Sequence, residues 1–223
     1  MCVNYVPVQR QLLRDVFGVE PPADEWRVET WKDYAAPIVV ADSDGSRDCR
    51  LATFGMVPRW RINEGMKVFD TMNARSETVG QKRSFSGAWN KGHFCLIPAT
   101  AVYEPNYESG AKSVRYKIYP RESQAFGIAG LWRDWPDGTH SFAMLTVNAD
   151  NHPVMNRMHK PGSEKRGVVM LPSEEWDDWL TCRDAEKARA FLRLLPDGAM
   201  LTEPAPMAPR KAEINSRMDG LQD

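Results

Sequence analysis

Between residues 126 and 149 the chain reads FGIAGLWRDW, PDGT, HSFAMLTVNA, two apolar runs of strand length around a short Pro-Asp-Gly turn. That pattern specifies a β-hairpin, because the turn residues set the φ angles that bring the two runs back against each other. More strand-length runs follow the same rule: residues 38–41, 49–57 (around the turn SDGS), 93–105, 114–120 and 165–171. Helical spacing is confined to short pieces. Leu12, Leu13, Val16 and Phe17 share one face before Gly18. PSEEWDDWL offers Ser173 as an N-cap, and DAEKARAFLRLL offers Asp184. The expected fold class is α+β: a single compact domain with a strongly curved, mainly antiparallel, barrel-like β-sheet and peripheral helices. That domain is expected over residues 1–203, followed by a Pro-rich tail over 204–223.

With 223 residues, 42% of them hydrophobic and 26% charged, the chain is long enough for a core without metal or disulfide staples. A net charge of −1 announces neither nucleic acid nor membrane, so any anion-binding surface must be a local patch. The start of the chain lacks the basic and apolar regions of a signal peptide, and no apolar run approaches the ~20 residues of a membrane span. A soluble cytoplasmic protein is expected. The cysteines Cys2, Cys49, Cys95 and Cys182 contain no C-x-x-C pair, so no metal site is expected, and free thiols are.

Four segments hold polar groups that a strand core does not require. Cys2 is either a small buried apolar residue or, once Met1 is removed, an N-terminal residue with an amine and a thiol on adjacent carbons. The stretch MNARSET is either a polar loop or a site contributing Asn73, Arg75 and Glu77. Glu104 shares a strand face with Val102, just before Pro105 is expected to end the strand. It is therefore either solvated or a partly buried acid of raised pKa. Residues 151–167 form either a solvated loop or a site supplying His152, His159, Arg157, Lys160, Lys165 and Arg166.

Taken together and in order, MC, FGMVPRW, NARSET, FCLIPATAVYEP, AGLWRDW, FAMLTVNAD and RMHKPGSEKRGVVML resemble the blocks of the SOS response-associated peptidase (SRAP) family, from Met1 to about Leu180. The resemblance implies a domain that binds single-stranded DNA and captures abasic sites, without a cofactor, as a monomer that is nucleoid-associated when on DNA. It further implies self-removal of Met1 and a thiazolidine crosslink through Cys2. Carried over by position, Cys2 is the nucleophile, Asn73 positions the N-terminus, Glu104 is the catalytic carboxylate and His159 the family histidine. Arg75 and Trp60 become DNA contacts for backbone and base, and Pro37, Arg157, Lys160 and Arg166 join them. Three positions depart from the family pattern: Val3-Asn4 replaces Gly-Arg, Pro105 replaces Trp after Tyr-Glu, and extra residues separate His159 from Arg166. Two other functions fit the same residues: a thiol peptidase acting on other proteins, and a non-covalent single-stranded-DNA module.

The aldehyde chemistry explains why the cysteine stands second. An α-amine of pKa ~7.7–8.0 is partly neutral near pH 7, whereas a lysine amine at ~10.4 is not. The thiol of the same residue then closes a ring without a second encounter. Glu104 is expected to shuttle protons at the amine, and His159 to act as the acid at the sugar oxygen.

Overall fold

A computed structural model describes residues 2–110 and 112–207. Its strands are β1 (Asn4–Pro7), β2 (Thr30–Trp31), β3 (Ala35–Ala41), β4 (Arg47–Phe54), β5 (Asn73–Arg75), β6 (Phe94–Asn106), β7 (Val114–Pro120), β8 (Phe126–Asp134), β9 (His140–Asn148), β10 (Arg166–Val168), β11 (Met170–Leu171) and β12 (Met200–Pro204). The helices are α1 (Arg10–Asp15), α2 (Ser86–Asn90), α3 (Trp176–Thr181) and α4 (Ala185–Ala188). All twelve strands belong to one sheet, and the pairing β8–β9–β4–β3–β6–β8 closes on itself as a ring. The α+β, mainly antiparallel, barrel-like architecture stands as expected.

Period-2 alternation sorts the side chains. Cys95, Ile97, Ile128, Phe142 and Met144 point into the barrel, while Leu96, Ala129, Leu131, Ala143 and Leu145 point outward against the helices. The outer layer is closed by Leu13 and Phe17 beside α1 and by Trp176 and Trp179 of α3. The Trp179 indole N–H donates to the Cys95 carbonyl at 2.9 Å, so its polar edge is satisfied while the ring packs. The barrel is narrow enough that Gly130 must lack a side chain. A Cβ there would stand 2.7 Å from Ile97 Cδ1 and 2.8 Å from Cys95 Sγ.

Strand β6 is the spine. Its first half pairs with β8, and its second half pairs with β1 on one edge and β7 on the other. It also corrects one expectation: Pro105 does not end it, and pairing continues to Asn106. The carbonyl of Pro98 turns away from β8 and that of Pro105 away from β7, and they accept the Val8 and His159 N–H groups. The N–H that each proline lacks would face that same edge, so the pairings with β8 and β7 keep their bonds.

Other differences are local. Ser173 caps no helix; it opens a 3₁₀ turn, and α3 begins only at Trp176. Asp184 does cap α4, accepting from the Glu186 and Lys187 N–H groups. That helix is only four residues long, because the next residues form a 3₁₀ turn that packs Phe191 against Trp179. The run 165–171 splits at Val169, so β10 pairs with β9 and β11 with β8. Residues 73–75 are strand rather than loop, and β5 runs parallel to β9. Pro204, the first residue of the expected tail, is still in β12, and residues 208–223 of that tail lie outside the described residues. Among the described residues, no helix is long and apolar enough to cross a membrane.

Candidate active site

The end of β6 brings Cys2, Glu104 and His159 together. Pairing of Asn4 with Tyr103 lays the start of β1 along the last residues of β6, which carries Cys2 to the barrel rim. Cys2 is fully buried, with its Sγ 3.4 Å from the Asn4 carbonyl. Burial, reinforced by neighbouring Glu104, drives the thiol pKa far up, so the sulfur is held as a neutral thiol. Asn73 reaches the same point from β5, its Nδ2 donating to the Cys2 carbonyl at 2.7 Å. The parallel pairing of β5 with β9 fixes that amide, since Asn73 is held opposite Met144.

Glu104 is the buried acid of the two expected alternatives. It is 3% exposed, shares the interior with Val102, and burial raises its pKa to about 8. His159 Nδ1 stands 3.4 Å from Glu104 Oε2. Burial lowers the His159 pKa to about 4. Its Nε2 lies 2.9 Å from the Arg166 carbonyl, which can only accept, so Nε2 carries the hydrogen and Nδ1 offers its lone pair. Near neutral pH the proton of this pair therefore sits on Glu104, opposite a neutral imidazole.

The backbone around His159 is under constraint. Its φ of +63° lies in the left-handed region that β-carbon residues avoid. Two anchors hold it there: the His159 N–H donates to the Pro105 carbonyl at 2.6 Å, and Lys165 Nζ donates to the carbonyls of Met158, His159 and Lys160 at 2.7, 3.0 and 3.2 Å. Lys165 is thus a clamp on the histidine loop. Nothing in its sequence context separates a carbonyl clamp from a phosphate contact. His152 is elsewhere, its Nδ1 accepting from the Val154 and Met155 N–H groups and its Nε2 facing the Leu195 carbonyl.

The cations expected to meet DNA divide into two groups. Arg166 is buried, its guanidinium held by Glu77 at 2.9 and 3.0 Å, by Glu164 at 2.8 Å and by the Thr146 carbonyl at 2.6 Å. It pins β9 and the histidine loop together and presents no free face to a phosphate. Pro37 is also buried, inside β3. Arg75 is half-exposed and pairs with Glu164 at 2.7 Å, Arg157 pairs with Glu108, and Lys160 is exposed. Trp60 is 61% exposed, on a loop that also exposes Met66, Val68 and Phe69. Next to it, Arg61 ties this loop to the β8–β9 turn through Asp137 and packs over the Trp135 ring. Among the described residues, no cluster of His, Cys, Asp or Glu is placed to hold a metal ion.

The SOS response associated peptidase family model matches residues 1–208. The chain is 27% identical over 153 residues to abasic site processing protein YoqW of Bacillus subtilis, covering 67% of this chain and 65%, just under two thirds, of that protein. It is 30% identical over 117 residues to abasic site processing protein HMCES of Pongo abelii, covering 48% of this chain and 33% of that one. A crystal structure of a protein from Bordetella bronchiseptica superposes with a TM-score of 0.82 at 32% identity, over 92% of this chain and all of that one. A second, from Bacteroides thetaiotaomicron, shares the fold with a TM-score of 0.72 at 21% identity, over 91% of each chain. A match that begins at Met1 and runs through every segment meeting at Cys2 places this chain in the SOS response-associated peptidase (SRAP) family.

Proposed function

We propose that this protein captures abasic sites in single-stranded DNA as a thiazolidine crosslink on Cys2, after hydrolysing its own Met1–Cys2 bond. The observation that supports this reading most is the convergence of Cys2, Asn73, Glu104 and His159 at one rim of the barrel. The names of the relatives, abasic site processing proteins, point the same way. In the reaction, the neutral Cys2 amine adds to the sugar aldehyde carbon, giving a carbinolamine. Glu104, holding its proton near neutral pH, donates it to the departing oxygen, and water leaves to give a protonated imine whose nitrogen proton returns to the Glu104 carboxylate. The Cys2 sulfur then bonds to the imine carbon while its proton passes to the nitrogen, closing a five-membered ring.

With a pKa lowered to about 4, His159 carries no extra proton near neutral pH, so its part is to accept a hydrogen bond from the Glu104 carboxyl and hold that carboxyl in place. The acid at the departing oxygen is Glu104, whereas the sequence pointed to His159 as the acid at the sugar oxygen. Asn73 holds the Cys2 carbonyl and so fixes the direction in which the residue presents its amine. A peptidase acting on other proteins needs a thiolate, and the buried thiol is driven the other way.

The test is a uracil-containing single strand treated with uracil-DNA glycosylase, incubated with the protein and run on a denaturing gel. A heat-stable shifted band is expected, together with an intact protein mass one methionine short. Crosslinking by protein that retains Met1 would sink the aminothiol reading.

Binding to the strand is expected to depend on a local patch. Arg75→Ala should weaken single-stranded DNA and lower the slope of log K against log salt by roughly 0.7, one phosphate contact on a single strand. Its ion pair with Glu164 is half-exposed and is readily exchanged for a phosphate. Fluorescence anisotropy across a salt series reads the slope, and an unchanged slope removes Arg75 from the DNA path.

A further inference from the structure

A cleft of about 400 Å³ opens beside the candidate site, and none of the roles assigned above uses it. Val3, Trp31, Glu104, Arg115, Pro206 and Met207 are among the residues that line it. Its position follows from strand register: Asn4 pairs with Trp31 on one side and with Tyr103 on the other, and Arg115 pairs with Pro105. The end of the barrel wall that leads to Cys2 and Glu104 is therefore also the floor of the cleft. The segment after β12 forms the opposite side, held in place by the Ala205 N–H donating to the Arg115 carbonyl at 2.8 Å.

Its chemistry is mixed in a specific way. Val3, Val114, Pro206 and Met207 are apolar, Trp31 is half-buried, and Met207 is 61% exposed. Arg115 lies flat on Tyr103, its guanidinium carbon 3.3 Å from the ring centroid. Nη2 of Arg115 donates to Glu29 at 2.8 Å, an acceptor shared with Asn4 Nδ2 at 3.0 Å. Its Nε is buried and has no acceptor among the described residues. A guanidinium has five N–H donors, so one carboxylate oxygen leaves it with capacity for an anion. Apolar and aromatic walls with one fixed guanidinium suit a flat base attached to a phosphate.

We propose that this cleft seats the nucleotide adjacent to the abasic sugar, its base against the Trp31–Met207 walls and its phosphate on Arg115. The proposal rests on the capture reading above, since it takes Glu104 and Cys2 as the point where the sugar lies. Arg115 then supplies, from β7, a cation close to the N-terminal strand, where Val3 and Asn4 provide none.

Three oligonucleotides of equal length test it, with the abasic sugar internal, at the 5′ end, or at the 3′ end. Crosslink yield at limiting protein is the readout for wild type, Arg115→Gln and Met207→Asp. Met207→Asp guards against misfolding, because its side chain is exposed. Wild type should lose about tenfold on the one terminal substrate that lacks the seated neighbour, roughly the contribution of one stacked base. Both variants should lose a similar factor on the internal substrate and nothing further on that terminal one. Equal yields from all three substrates, or variants that lose the same factor on every substrate, overturn the cleft assignment while leaving the capture reading intact. No crosslink of wild type to any substrate overturns the capture reading itself.

Discussion

Cys2→Ser is expected to remove the heat-stable adduct completely while non-covalent binding of single-stranded DNA stays nearly unchanged. Serine at position 2 keeps the amine, so the imine should still form and be trappable with borohydride. It lacks the sulfur that adds to the imine carbon, so the product hydrolyses back. The substitution is conservative in volume, and a serine hydroxyl can take over the thiol's contact with the Asn4 carbonyl. Loss of the adduct can therefore be separated from loss of fold by comparing thermal melts. A heat-stable adduct in the Cys2→Ser protein would show that something other than the thiol locks the product.

Glu104→Gln should produce the second large effect, a drop of ~10²–10⁴ in crosslinking rate, the usual contribution of a positioned proton donor. The wild-type rate should rise with pH as the α-amine, pKa ~7.7–8.0, loses its proton. It should fall again above about 8, where Glu104 ionises and has no proton to give. The profile is thus a bell centred near pH 8. Glutamine cannot ionise, so the variant should keep the rising limb and lose the falling one. Single-turnover rates from pH 6 to 10 on the same abasic strand decide the matter. A falling limb that persists in Glu104→Gln would assign it to another group and take the acid role from Glu104.

The strands were legible in the sequence where two conditions held together: a run long enough to alternate, and a turn that stops it. The β8–β9 hairpin and β7 satisfy both. Strands β1, β5 and β12 satisfy neither, being three to five residues long, and the pairings that create them are distant in sequence. Pro105 misled for a related reason. The rule that proline ends a strand applies to an edge that needs the N–H, and the sequence does not say which edge is paired.

For the site, Glu104 was visible as a carboxyl on an apolar face, which is the physical situation the structure contains. The loop of residues 151–167 was visible only as charge. Whether Lys165 and Arg166 are free or occupied depends on Glu77, Glu164 and four backbone carbonyls, none of which has a spacing signature. Lys165 and Arg166 therefore looked like their neighbour Lys160, although they hold the loop and Lys160 is exposed.

The pairing of β1 with the second half of β6 also sets a clock on synthesis. The first strand leaves the ribosome without a partner and cannot dock until Ala99–Tyr103 has followed it. Elongation at ~5–20 residues per second makes that a wait of seconds. The pair formed by Glu104 and His159 is completed later still, once Lys165 and Arg166 have emerged to hold the histidine. Throughout that interval the amino terminus is open to any enzyme that trims or acylates nascent chains. On the self-processing reading the amine exposed during that interval is that of Met1, so an acyl group placed there would leave with Met1, and the Cys2 amine would be uncovered only after the barrel has closed.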